Sequence, residues 1–171
     1  MNMYPQLTSL RSSLIDKFYA LQTPAWRASI LARLTGQSAT LSLFPEQMPQ
    51  KNPNRKFIGV EEIPVEQIVG TLNRQSDFDH RFRPLKGYLR DRWVNAYLAH
   101  ENGGWAPILV HKLGDQYYVE DGHHRVSIAR SLGMGFIQAK IWDYPVERKQ
   151  TRQCPPVRCP ERSCAEAYAA R

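Results

Sequence analysis

The stretch Glu120-Asp121-Gly122-His123-His124-Arg125-Val126-Ser127-Ile128-Ala129 decides how this chain is read, because a strand, a turn and a helix meet within it. The β-rich run Gln116-Tyr117-Tyr118-Val119-Glu120 leads in, and a glycine lets the backbone turn tightly. A helix is predicted to begin around Gly122 and to run through Val126, Ile128, Ala129 and Leu132 to a stop at Gly133. Its first turn carries two imidazoles and a guanidinium. The opening turn of a helix exposes unpaired N–H groups and about half a positive charge, so the junction suits an anion. Arg125 adds a fork of donors matching a phosphate, and His123 or His124 adds another. Glu120 and Asp121 would repel a bare phosphate but suit Mg²⁺, a base or the orientation of a histidine. Two other readings stand beside this one. Asp121 caps the helix and Arg125 pairs with Asp121 or Glu120, with no ligand at all, or His123 and His124 hold a metal, although adjacent imidazoles diverge.

Working outward, Pro107-Ile108-Leu109-Val110-His111-Lys112 and residues 116–120 flank Gly114-Asp115 and predict a β-hairpin. Phe136 to Trp142 reads as a closing strand, and Phe57 to Ile63 as a first strand ending at the turn of Pro64. From Pro84 a helix is expected, because Leu85, Tyr88, Leu89, Trp93, Ala96 and Tyr97 share one apolar face before Asn102-Gly103-Gly104 stops it. The order strand, loop, helix, hairpin, helix, strand argues for a compact α+β domain rather than a doubly wound sheet. The loop of residues 70–83 gathers Arg74, Asp77, Asp79, His80, Arg81 and Arg83, an ionisable density that core packing does not explain.

Upstream, residues 7–35 read as two short amphipathic helices. Leu10, Leu14, Phe18 and Leu21 form one stripe, Thr23-Pro24 supplies a cap and first-turn proline, and Trp26, Ile30, Leu31 and Leu34 form a second stripe needing a cover. That cover is the main domain, a twin subunit or a partner. The expected organisation is thus a helical segment at 1–36, a linker or wrapping arm at 37–56, the principal domain at 57–146 and a basic Cys/Pro tail at 147–171.

The chain has 171 residues, 42% of them hydrophobic, enough for one sizeable core and against a disordered, collagen-like or repeat protein. No apolar run nears the roughly 18 residues of a membrane span and no signal-peptide pattern opens the chain, so a cytoplasmic protein without a membrane partner is expected. The net charge of +7 is unevenly spread: +5 over residues 1–56, −1 over 57–143 and +3 over 144–171. A polyanion such as DNA would be gripped by the ends, with Arg11, Lys17, Arg27 and Arg33 on the first helices, whereas the middle suits a small ligand. Cys154, Cys159 and Cys164 recur every five residues without the fourth ligand or the close pair of a structural zinc site.

With Pro107-Ile108-Leu109-Val110 ahead of it, the Asp121 to Ala129 junction resembles the ParB/sulfiredoxin superfamily, over about residues 57–143. In that superfamily this helix start holds nucleotide phosphates: a G-x-R-R-x-x-A box for CTP in ParB, G-C-H-R for ATP in sulfiredoxin, D-G-H-x-R for ADP in the free serine kinases. Gly122 and Arg125 agree with all three, and His124 with the sulfiredoxin histidine. His123 stands where sulfiredoxin has its cysteine nucleophile, which argues against sulfiredoxin chemistry. Asp121-Gly122-His123 is most similar to the kinase type.

The resemblance therefore implies an α+β domain with a small mixed sheet, preceded by the helical pair, that binds CTP, ATP or ADP, with Mg²⁺. Gly122, His123, His124 and Arg125 would lie on the phosphates. A kinase-like transfer or nucleotide hydrolysis would draw its base or metal ligand from Asp77, Asp79 and Asp121, with metal contacts from Glu120 and Asp121. Arg74, Arg81 or Arg83 would supply a further phosphate contact. The alternative is a DNA-binding or regulatory module using the basic termini, and a homodimer through the N-terminal helices fits either.

Overall fold

The computed structural model describes residues 4–36, 40–45 and 55–145, without the side chains of 4–8 and 33. The cysteine tail, most of the predicted arm and the side chain of Arg33 lie outside the described residues. Helix α1 spans Tyr4–Thr35, followed by β1 (Ser42–Leu43), β2 (Lys56–Pro64), a 3₁₀ turn at Val65–Gln67 and β3 (Ile68–Thr71). A second 3₁₀ turn at Gly87–Leu89 leads into α2 (Arg90–Glu101), and β4 (Ile108–Leu113), β5 (Gln116–Asp121), α3 (His123–Ser131) and β6 (Phe136–Tyr144) follow. The fold class is α+β: the described residues form three helices and a six-stranded mixed sheet in the order β1-β3-β5-β4-β6-β2.

The predicted hairpin is β4–β5, antiparallel with Leu113 opposite Gln116, and Gly114 takes a left-handed φ of 63° in its two-residue turn. Parallel pairing of β4 with β6 and of β5 with β3 places the hairpin at the centre of the sheet. Strand alternation then divides the side chains. Ile108, Val110, Tyr117, Val119, Ile137, Ala139 and Ile141 join the core with Trp93, Val94, Val126 and Ile128 of the helices. On the other face, Tyr118 and Tyr144 cluster with Phe44, which β1 brings across the sheet.

Three expectations are corrected. The first is the helical pair, which is one helix with Pro24 in its interior. An interior proline costs about 3 kcal/mol, but Leu14, Phe18 and Ala25 are buried on one continuous face, and that burial carries the helix past it. The Thr23 hydroxyl donates to the Tyr19 carbonyl 2.9 Å away in the same turn. Trp26 (57% exposed), Leu31 (62%) and Leu34 (80%) are not covered by the domain.

The second concerns β3, where the sequence predicts a turn and the start of a loop. Ile68 and Thr71 are fully buried in it, beside β5. The third concerns the ionisable loop, which is anchored by Phe78 and Phe82, both fully buried, so packing does explain part of it. Among the described residues, no helix is long and apolar enough to cross a membrane.

Candidate functional site

At the β5–α3 junction Gly122 adopts φ 107° and ψ 18°, and the Val126 amide donates to its carbonyl at 3.0 Å to open the helix. A Cβ here would stand 2.5 Å from Ile108 Cγ2, so only glycine lets the helix start sit this close to β4. No side chain caps α3. The capping role considered for Asp121 is absent, which leaves the first-turn amides without a carboxylate partner.

The two histidines part company. His123 is buried, with Nε2 2.7 Å from Thr71 Oγ1 and its ring stacked on Phe78 at 6.0 Å. His124 turns its edge towards Phe78 and lines the cleft beside α2, and its Nδ1 is buried with no hydrogen-bond partner. Burial, reinforced by the charge of Arg74, pushes both imidazoles down to about 4, so both are neutral at pH 7. His123 is thus packed behind the cleft, which His124 lines, and the two rings do not face one common point.

Arg125 is already engaged. Its guanidinium donates to the Asp121 carboxylate at 2.5 Å and to the Ala106 carbonyl at 2.5 Å, the ligand-free arrangement weighed from the sequence. Asp121 remains largely exposed, with its side chain at 74%. Glu120 lies on the other face of the sheet, where its carboxylate meets His111 Nε2 at 2.6 Å and His111 Nδ1 in turn lies 2.9 Å from the Tyr144 hydroxyl. The expected metal pair of Glu120 and Asp121 is therefore split by strand alternation. Among the described residues no group of three or more His, Cys, Asp or Glu gathers as a metal site.

The loop carboxylates are committed too. Asp77 accepts from Arg74 at 3.2 Å and from the Tyr88 hydroxyl at 2.5 Å, and that hydrogen bond raises the Tyr88 pKa. Asp79 is completely buried and receives the amides of Arg81 and Arg83 together with the Arg83 guanidinium, whose closest nitrogen is at 2.7 Å. Arg81 and Arg83 open onto a different cleft, one turn further along α3. Of the three loop arginines, Arg74 is the one whose charge reaches both histidines.

What converges is a cleft of about 410 Å³ at the start of α3, lined by Gly122, His124, Arg125 and Asp121 and walled by Arg92 and Trp105. Sequence reasoning missed Arg92 and Trp105, as well as Thr71. Arg92 sat unremarked among the polar positions of the predicted helix, and Trp105 followed the Gly103-Gly104 stop without a partner to suggest a role. A larger cavity of about 570 Å³ lies around Gly133, at the opposite end of α3, where the helix dipole is negative and Glu66 adds a carboxylate.

No family model and no curated protein matches the chain. Among solved structures it is similar to sulfiredoxin from Arabidopsis thaliana, at 25% identity over 48% of this chain and 82% of that chain, with a TM-score of 0.36. That likeness is too loose to assign roles to residues.

Proposed function

We propose that the chain binds a nucleotide through its phosphates at the N-terminus of α3, in the cleft between Arg92 and Arg125. The observation that carries this reading is that Arg92, Arg125 and the uncapped start of α3 meet at one cleft, with the His124 ring in its lining. These groups suit a polyanion. Arg92 and Arg125 bring two cations, Arg74 adds positive potential, and the uncapped amides of α3 point the same way. With its imidazole neutral, His124 contributes a hydrogen bond rather than a charge, so the arginines neutralise the phosphates. The superfamily resemblance at Gly122, His124 and Arg125 supports the same reading.

Glu120 and Asp121 face apart and do not form a shared magnesium site, and no step is assigned to a metal. Should phosphoryl transfer or hydrolysis follow binding, Asp121, exposed and paired with Arg125, is the carboxylate that lines the cleft and could take a proton, whereas Asp77 and Asp79 do not line it.

Calorimetric titration of CTP, ATP and ADP into the wild type, Arg92→Ala and Arg125→Ala tests this. Saturable binding is expected, weakened about tenfold to a hundredfold in each variant, as for loss of a hydrogen bond to a charged group. No saturable binding of any of the three, or unchanged affinity in both variants, would reject it.

A further inference from the structure

One turn beyond this cleft, α3 borders a second concavity that the nucleotide reading leaves unused. It has two lobes that share Leu21 and Ser131. The first, of about 300 Å³, is lined by Arg81, Arg83 and Arg130. The second, of about 260 Å³, is largely apolar and lies against Trp93, Tyr97 and Leu132.

The charge in the first lobe is not balanced. Three guanidiniums share one carboxylate, Asp79, which is spent on Arg83. Among the described residues Arg130 donates to the carbonyls of Val65, Ile68 and His80 and lies over the Phe82 ring at 4.9 Å, and the Asp79 carboxylate acts on its charge only through space. Arg81 is exposed, and among the described residues its guanidinium has no hydrogen bond or ion pair. This surplus of two cations sits in a stretch, residues 57–143, whose overall charge is −1, so it is a local concentration and not a general basicity. An excess of cations beside a low-dielectric wall attracts an anion, and the adjoining lobe offers apolar surface to whatever the anion is attached to.

We infer that the two lobes form a second binding site, for a small amphipathic anion: one carboxylate or phosphate head held by Arg81, with Arg130 and Arg83 adding positive potential, on an aliphatic or aromatic body resting against Leu21, Trp93 and Leu132. The site is separate from the cleft of Arg92 and Arg125 and does not depend on what binds there.

Calorimetric titration of hexanoate and hexyl phosphate into the full chain tests the inference, with inorganic phosphate and hexanol as head-only and body-only probes. At least one amphiphile should bind saturably and more tightly than either half, and the preferred head tells a carboxylate ligand from a phosphate ligand. Arg81→Ala should weaken binding about tenfold, the loss of one charge-assisted contact. Leu132→Glu, at a residue 40% exposed, should weaken it by repelling the head and wetting the apolar lobe. Arg125→Ala should leave it unchanged. Absence of saturable binding by both amphiphiles, hexanol binding as tightly as they do, or affinity indifferent to Arg81 would overturn the site. Loss in Arg125→Ala with Arg81→Ala intact would place the ligand in the nucleotide cleft instead and overturn it equally.

Discussion

The Arg125 guanidinium is held by the Asp121 carboxylate at 2.5 Å, so the cation best placed for a phosphate is partly neutralised from within the site. The pair is exposed on the Asp121 side, and such i,i+4 pairs contribute about 0.3–0.5 kcal/mol. Asp121→Asn should therefore change the melting temperature little. It should, however, tighten ATP or CTP binding about tenfold, because a carboxylate near a phosphate costs about 1–3 kcal/mol at the effective dielectric of a protein surface. Calorimetry on this variant checks the sign. Weaker binding would mean that Asp121 supports the ligand rather than competing with it.

His123 and His124 make folding sensitive to acid. Both have folded-state values of about 4, set chiefly by burial, against about 6.5 in the unfolded chain. Between these values the unfolded state binds more protons, so stability is complete above pH 6.5 and is lost as pH falls towards 4. The ceiling is about 1.4 kcal/mol per pH unit for each imidazole. Urea unfolding at pH 7, 6 and 5 should show midpoints that fall with pH, and His124→Gln should flatten the dependence. A midpoint constant from pH 7 to 5 would contradict the burial of both rings.

Asp79 separates a structural role from a catalytic one. Its buried carboxylate ties together residues 79 to 83, and its nearest charged partner is the Arg83 guanidinium at 2.7 Å. Asp79→Asn leaves that guanidinium facing an amide, and breaking a buried pair from one side costs about 3–5 kcal/mol. Thermal unfolding should show a drop on the order of 10 °C. An unchanged melting temperature with altered nucleotide chemistry would return Asp79 to the reacting groups.

The centre of the molecule was legible in the sequence because its signals are local. Gly114-Asp115 between two β-rich runs gives the β4–β5 hairpin, and Gly122 before Val126, Ile128 and Ala129 gives α3. Signals that depend on distant partners were not legible. Ile68-Val69-Gly70-Thr71 is a strand because Tyr117 and Val119 lie alongside, and Pro24 stays helical because Ala25 finds a buried place. The same holds for the site. Gly122, His124 and Arg125 stand in sequence order, but Arg92 and Trp105 reach the cleft only when α2 packs on α3, and the ion pair of Asp79 exists only once the Arg83 fork closes on it.

Gly122 is where fold and site depend on the same atom. Alanine at φ 107° carries about 1–3 kcal/mol of backbone strain, and its Cβ would meet Ile108 Cγ2 at 2.5 Å and Ile108 Cβ at 2.8 Å. Ile108 is fully buried between β5 and β6 and has little room to retreat, so the start of α3 must yield, taking His124 and Arg125 with it. Gly122→Ala should thus lower the melting temperature and weaken nucleotide binding together. Adding Ile108→Ala removes the Cγ2 contact but leaves the Cβ contact at 2.8 Å and the strained φ, so the double variant should recover only part of the binding while remaining less stable than the wild type. A Gly122→Ala protein that melts and binds like the wild type would show that the helix start is not set by its contact with β4.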